Sequence, residues 1–176
     1  MALGCAIRAG LVAGLTALVV GISATALHLR VNLTPSVPLG LWRGVAADEP
    51  PTRGSVVIAC LPADLGEAGL KRGYLGHGEC PGGAYPLLKP IGAIAGDTVD
   101  VSDLGVFVNG ARVTGPALRQ DGAGRPLVSV EPGRYRVRPG EIWLLSNYRA
   151  NSWDSRYYGP LPVQSIISGA APFLTF

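Results

Sequence analysis

The hydrophobic rhythm of the chain changes once. From Ala9 to Leu27, nineteen consecutive residues carry no charge, and Leu, Val, Ile and Ala dominate. A helix needs ~20 such residues to cross ~30 Å of hydrocarbon, and glycines like Gly10, Gly14 and Gly21 are common in spans of this kind. The pattern predicts a short cytoplasmic lead at 1–8, a transmembrane helix at 9–29 and an exported domain at 30–176. Ala24-Thr25-Ala26 also has the small-x-small form that precedes cleavage of an export signal. A removable signal therefore competes with a retained anchor, and both readings leave the remainder outside the cytoplasm.

Beyond residue 34 the apolar runs are short and separated by Gly, Pro, Asn and Asp. Gly54–Cys60, Tyr85–Ala93 and Thr98–Val101 read as strands. Val106-Phe107-Val108, Asn109-Gly110, Ala111-Arg112-Val113 is a hairpin pattern, since Asn-Gly suits the two positive-φ positions of a type I′ turn. Leu127–Val130, Arg134–Val137, Glu141–Ser146 and Val163–Ala171 complete the predicted strands. One helical turn is expected near Leu65–Lys71, inside an excursion from Leu61 to Gly83. Many short strands joined by turn residues indicate a mostly β, barrel-like domain.

Charge narrows the function classes. The net charge is +3, and Lys and Arg are scattered rather than clustered, so the chain carries no nucleic-acid footprint. Cys5 precedes the apolar span, while Cys60 and Cys80 bracket a Gly-rich stretch. These two cannot complete a four-ligand metal site, and no metal or cofactor is implied. In an oxidising compartment a disulfide between them would stabilise the fold by roughly 3 kcal/mol; the alternative is two unpaired small apolar residues.

The stretch Asn32–Arg43 holds the candidate chemistry. Ser36 stands between Pro35 and Pro38, each of which fixes its own φ and restrains its predecessor. A rigid turn presenting one hydroxyl suits a nucleophile, although a stiff linker would read the same way. His28 sits at the membrane edge and His77 in the cysteine-bracketed excursion, neither within a strand that could hold it. Lys89 alone of the two lysines falls in an apolar strand, where burial would lower its pKa and make it a general base. A lysine snorkelling to the surface is the bland alternative.

Three ordered motifs carry a resemblance. Thr34-Pro35-Ser36-Val37-Pro38-Leu39-Gly40 resembles the nucleophile motif of the type I signal peptidases in the form seen in the TraF-type conjugation peptidases. Lys89 with Gly92 and Gly96-Asp97 resembles the lysine motif. Asn151-Ser152-Trp153-Asp154-Ser155-Arg156-Tyr157-Tyr158-Gly159 resembles the last box, Ser-x-Asp-Ser-Arg-x-x-Gly. The resemblance implies a signal-peptidase-like β-barrel domain held at the inner membrane, on its periplasmic side. It also implies a Ser-Lys serine endopeptidase, with Ser36 as nucleophile and Lys89 as general base. Ser152 would orient the lysine, the Ser36 N–H and Thr34 hydroxyl would form the oxyanion hole, and Asp154 and Arg156 would brace the site. Asp97 is expected to serve the turn rather than the chemistry.

Pro90 follows the lysine where many signal peptidases have Arg. Ser146-Asn147 replaces Gly-Asp, and Val37 replaces Met. These departures point to the TraF-like branch, whose substrates are pilin-like precursors, cleaved and in some systems joined end to end. Two other readings stand beside it. One is an anchored, non-catalytic assembly factor making protein contacts around Trp42, Trp143 and Tyr157; the other is a general leader peptidase.

Overall fold

The computed structural model describes residues 29–176. The expected membrane span, its flanking Cys5 and His28, and the export-signal motif lie outside that range. No helix among the described residues is long and apolar enough to cross a membrane.

The domain is built from eleven strands: β1 (Leu29–Asn32), β2 (Gly40–Val45), β3 (Val56–Ala59), β4 (Leu87–Ile94), β5 (Thr98–Ser102), β6 (Gly105–Val108), β7 (Ala111–Thr114), β8 (Gly133–Arg136), β9 (Glu141–Leu144), β10 (Leu161–Pro162) and β11 (Ile166–Thr175). Two helices join them, α1 (Ala63–Arg72) and the single turn α2 (Ser155–Tyr158). Seven strands form one curled sheet in the order β1-β2-β11-β3-β4-β9-β10, and four form a second in the order β7-β6-β5-β8. All pairings are antiparallel.

The large sheet does not close. β1 and β10 are its unpaired edges, so the expected barrel is an open, half-wrapped sheet. Its far end rests on the smaller sheet instead. β9 and the residue after it show how: Ile142 and Leu144 enter a core with Val57, Leu61, Leu87 and Ile91, while Trp143 and Leu145 enter a second core with Val99, Val106 and Val108. A strand alternates its side chains across the sheet, so a run apolar at every position is buried on both faces. β4 also feeds both cores, through Ile91 and Ala93. Residues two apart normally share a face; here the pairing of β4 with β9 shifts register between them, and the bulge re-aims the strand. Gly92 occupies the shift, where any Cβ would come within 2.6 Å of Leu145.

The Asn109-Gly110 turn forms as expected, with φ of +51° and +83°. The helical turn expected near Leu65–Lys71 is a ten-residue helix. Asp64 lies in its first turn and Lys71 and Arg72 in its last, matching the helix dipole. Gly73 in the left-handed region ends it. Gly69 lets the helix close on Leu75 and Trp153, which a Cβ would meet at 2.6 and 2.8 Å. Cys60 and Cys80 form a disulfide that closes the segment carrying this helix.

Leu127–Val130 is not a strand. Its backbone bonds are single ones, from Leu127 N–H to Arg119 O and from Val130 N–H to Arg156 O, so it packs as a tethered loop. The strand predicted from Val163 begins at Ile166, after a 3₁₀ turn. Trp42 and Trp143 are buried. Tyr157, the third aromatic of the assembly-factor reading, is half-buried and lines a cleft.

Candidate active site

Ser36 sits in the loop of a hairpin the strand pattern did not reveal. β1 and β2 pair antiparallel from Leu29 with Arg43 to Asn32 with Gly40, and residues 33–39 connect them. Two prolines in that loop remove two backbone donors, so side chains hold it. Asn32 Nδ2 donates to the carbonyls of Val37 (3.2 Å) and Pro38 (3.0 Å). Its Oδ1 accepts from the N–H of Thr34 (3.2 Å) and the Thr34 hydroxyl (2.9 Å). Trp42 Nε1 donates to the Pro38 carbonyl at 2.9 Å. From across the sheet, the Ser146 hydroxyl donates to the Ser36 carbonyl at 2.5 Å.

Lys89 arrives differently. It lies in β4 with strands on both sides, opposite Val57 of β3. It falls in the buried register with Leu87, Ile91 and Ala93. The side chain is 5% exposed, and snorkelling is ruled out by where its head goes. Nζ donates to Ser36 Oγ, and to Ser152 Oγ at 2.7 Å. The two hydroxyl oxygens lie 3.3 Å apart. Burial lowers the Lys89 pKa from 10.5 to about 8; the Asp154 carboxylate partly opposes this, and the Arg156 charge reinforces it. Asp154 and Arg156 thus offset each other at the lysine, leaving desolvation to decide.

The third element is the loop leading into α2. Arg156 is fully buried against Asp154, with Nε to Oδ1 at 2.8 Å and Nη2 to Oδ2 at 2.9 Å. Such a fork-to-fork pair fixes both groups in a plane. The same guanidinium donates to the carbonyls of Ala150 (3.1 Å) and Ser152 (3.0 Å), which sets the backbone that carries the Ser152 hydroxyl. Asp154 also accepts from the Ser146 N–H at 3.2 Å. The pair therefore reaches the Ser36 loop through Ser146 as well as the lysine through Ser152.

Sequence reasoning named Ser36, Lys89, Ser152, Asp154 and Arg156, and the structure brings all five into one network. Thr34 is present but occupied: its hydroxyl donates to Asn32, and the Ser36 N–H donates to the Thr34 carbonyl at 2.8 Å. Asp97 accepts from the Ile94 N–H and the Asn109 side-chain amide, within the turn it was expected to serve. His77 bridges to Ala84 in the disulfide-closed segment and lines the outer cleft. Asn32 and Ser146 were missed as site residues. Asn followed by Thr two positions on is an Asx-turn signature, the one signal that could have found the first.

The triad of Ser36, Lys89 and Ser152 opens into a cleft of about 540 Å³. Apolar side chains line it, among them Leu33, Ile58, Leu75, Leu87, Leu118 and Trp153. One wall is a loop pinned to the end of α1 by Asp121, which accepts from the Tyr74 hydroxyl (2.6 Å) and Arg125 Nε (2.7 Å). Polar and charged side chains, among them Arg30, His77, Gln120 and Arg149, share the lining.

Comparison with known proteins places the chain in a family. A plasmid transfer protein TraF of Escherichia coli is 37% identical over 174 residues, 97% of this chain and 96% of that one. A probable conjugal transfer protein TraF of Sinorhizobium fredii is 43% identical over 150 residues, 84% of this chain and 77% of that one. A signal peptidase I of Bacillus caldolyticus is 32% identical over 88 residues, 46% of this chain and 48% of that one. The crystal structure of a signal peptidase I from Enterococcus faecalis V583 superimposes with a TM-score of 0.40 at 17% identity, covering 71% of this chain and 98% of that one. The family model for signal peptidase, peptidase S26, matches residues 4–175, and the chain belongs to that family.

Proposed function

We propose that this protein is a membrane-anchored serine endopeptidase that matures an exported precursor, a conjugative pilin subunit, with a Ser36–Lys89 dyad. The observation that carries the reading is a buried amine, weakened as an acid-holder by desolvation, in direct contact with a loop-borne serine hydroxyl.

The uncharged Nζ takes the proton of Ser36 Oγ as that oxygen attacks the scissile carbonyl. The resulting ammonium gives its proton to the leaving amine as the peptide bond breaks, leaving an ester on Ser36. Water, deprotonated by Lys89, then releases the acid. If a substrate amine attacks instead, a new peptide bond forms and no water is consumed. Ser152 accepts an amine N–H and holds the lone pair towards Ser36. The Ser36 N–H and Thr34 hydroxyl serve the oxyanion after exchanging their present partners, the Thr34 carbonyl and Asn32, for it.

The names of the relatives support conjugation as the setting. The disulfide and the apolar stretch at 9–27 support an anchored domain on the periplasmic side. Intact-mass analysis of the pilin precursor encoded with this transfer system, expressed with and without this protein, tests the proposal. Processing should occur with the wild type and vanish with Ser36→Ala and with Lys89→Ala. A product one water lighter than the linear mature form marks end-to-end joining. Normal processing by either variant would overturn the dyad. Cleavage of unrelated export precursors at equal rate would favour the general leader peptidase suggested by the Bacillus relative.

A further inference from the structure

Asn32 closes the β1–β2 hairpin opposite Gly40. Its side chain is polar and 6% exposed, so each of its hydrogen-bonding positions needs a partner inside the protein. A primary amide offers two N–H donors and an oxygen that can accept twice. All four are used, and all four partners belong to the loop that presents Ser36: the N–H and hydroxyl of Thr34 on one side, and the carbonyls of Val37 and Pro38 on the other. The side chain thus spans Ser36 without touching it.

The loop has few means of doing this itself. Pro35 and Pro38 have no N–H, and its one internal backbone bond runs from Ser36 N–H to Thr34 O. The other fixed points near the serine are the Ser146 hydroxyl on the Ser36 carbonyl and the Trp42 indole N–H on the Pro38 carbonyl. Without the amide, the loop would be held at the Ser36 and Pro38 carbonyls alone, with nothing fixing the Thr34 side. Lys89, by contrast, is fixed by strands on both sides. Any drift between the two groups is therefore drift of the serine.

We infer that Asn32 is the positioning residue that holds Ser36 Oγ on the Lys89 amine. This rests on the reading of Ser36 as nucleophile. Asn32 also borders the cleft, so a role in gripping the peptide is the competitor, and closure of the hairpin alone is the structural one. The three differ in what they move. Loss of position slows the serine towards any electrophile, loss of grip weakens only peptide binding, and loss of closure unfolds the protein.

The test is phosphonylation of Ser36 by a small alkyl fluorophosphonate, followed by mass spectrometry, in the full-length protein. The probe needs an activated, placed serine but does not fill the cleft. Asn32→Ala should label about 10²-fold more slowly, the scale of an ~1 Å misplacement. Its labelling should still turn on at the wild-type pH, because Lys89 is untouched. A substrate peptide should bind the Ser36→Ala and the Asn32→Ala/Ser36→Ala proteins within threefold of each other. Labelling of Asn32→Ala at the wild-type rate overturns the assignment, as does a loss of peptide affinity equal to the loss of rate. Asn32→Asp keeps the shape and the bonds to Thr34 but sets an acceptor against two carbonyls, so it should label as slowly as Asn32→Ala. If neither variant folds, Asn32 is a hairpin residue and the assignment falls. Processing by Ser36→Ala would sink the nucleophile reading itself; an inactive Ser36→Ala with a fast-labelling Asn32→Ala sinks only this one.

Discussion

The two halves of the proposed dyad are held by opposite means. Lys89 is a rung in a strand flanked on both sides, and its position is shared among many backbone bonds and two apolar cores. Ser36 rides on a proline-stiffened loop whose geometry depends on the side chains of Asn32, Trp42 and Ser146. The contrast separates two tasks. An amine that must stay uncharged needs a dry, rigid wall; a hydroxyl that must meet a substrate needs an edge facing the cleft. Placing the first in a sheet centre and the second in a hairpin loop meets both demands, at the expense of robustness on the serine side.

The largest effect should come from breaking the lysine side. Lys89→Met removes the proposed base and should leave no measurable processing. The same change should raise the thermal midpoint at neutral pH. Folding holds the lysine pKa near 8 against 10.5 when unfolded, so below pH 8 the folded protein carries the full cost of a buried charge, about 3 kcal/mol. That cost falls as pH rises from 8 and is gone above 10.5. Calorimetry at pH 7 and pH 10 checks it: the variant's advantage should shrink with pH, and a variant less stable than wild type at pH 7 contradicts the burial argument.

Next comes Ser152→Ala, which leaves the amine in place but frees its lone pair to wander. A kcat loss of about 10²-fold with KM little changed is expected, measured on a fluorogenic peptide that the wild type cleaves. In the wild type, kcat/KM should rise with pH to a plateau, with its midpoint near the Lys89 pKa of about 8. A profile flat from pH 6 to 9 would count against an amine base. The smallest effect on chemistry belongs to the disulfide. Cys60→Ser with Cys80→Ser should cost roughly 3 kcal/mol of stability, read by chemical denaturation. Turnover below the melting range should fall by less than threefold, because the bridge fastens the α1 segment rather than the dyad.

Much of the site was readable because its residues are unusual for their surroundings. A lysine in Leu-Leu-Lys-Pro-Ile-Gly and a serine between prolines stand out against any neutral background, and the Ser-x-Asp-Ser-Arg box does so as well. The Asn109-Gly110 hairpin was legible because its turn needs positive φ twice. β1 and β2 were not. Leu-Arg-Val-Asn alternates but is only four residues long and abuts the apolar stretch, and Gly-Leu-Trp-Arg-Gly-Val lacks clear alternation; β11, which pairs with β2, lies about 130 residues away in sequence, where local patterns say little. Leu127–Val130 had the opposite fault: strand-like composition with no neighbour to pair with. The open edge of the large sheet was hidden too, since closure depends on strand count and stagger rather than composition.

The bulge at Gly92 has a further effect on how the molecule comes apart. Because β4 sends Ile91 into one core and Ala93 into the other, neither core can melt while the strand between them stays in place. The dyad contact and tryptophan fluorescence should therefore disappear together in a denaturant titration, and a partly opened form that keeps Ser36 on Lys89 should never accumulate.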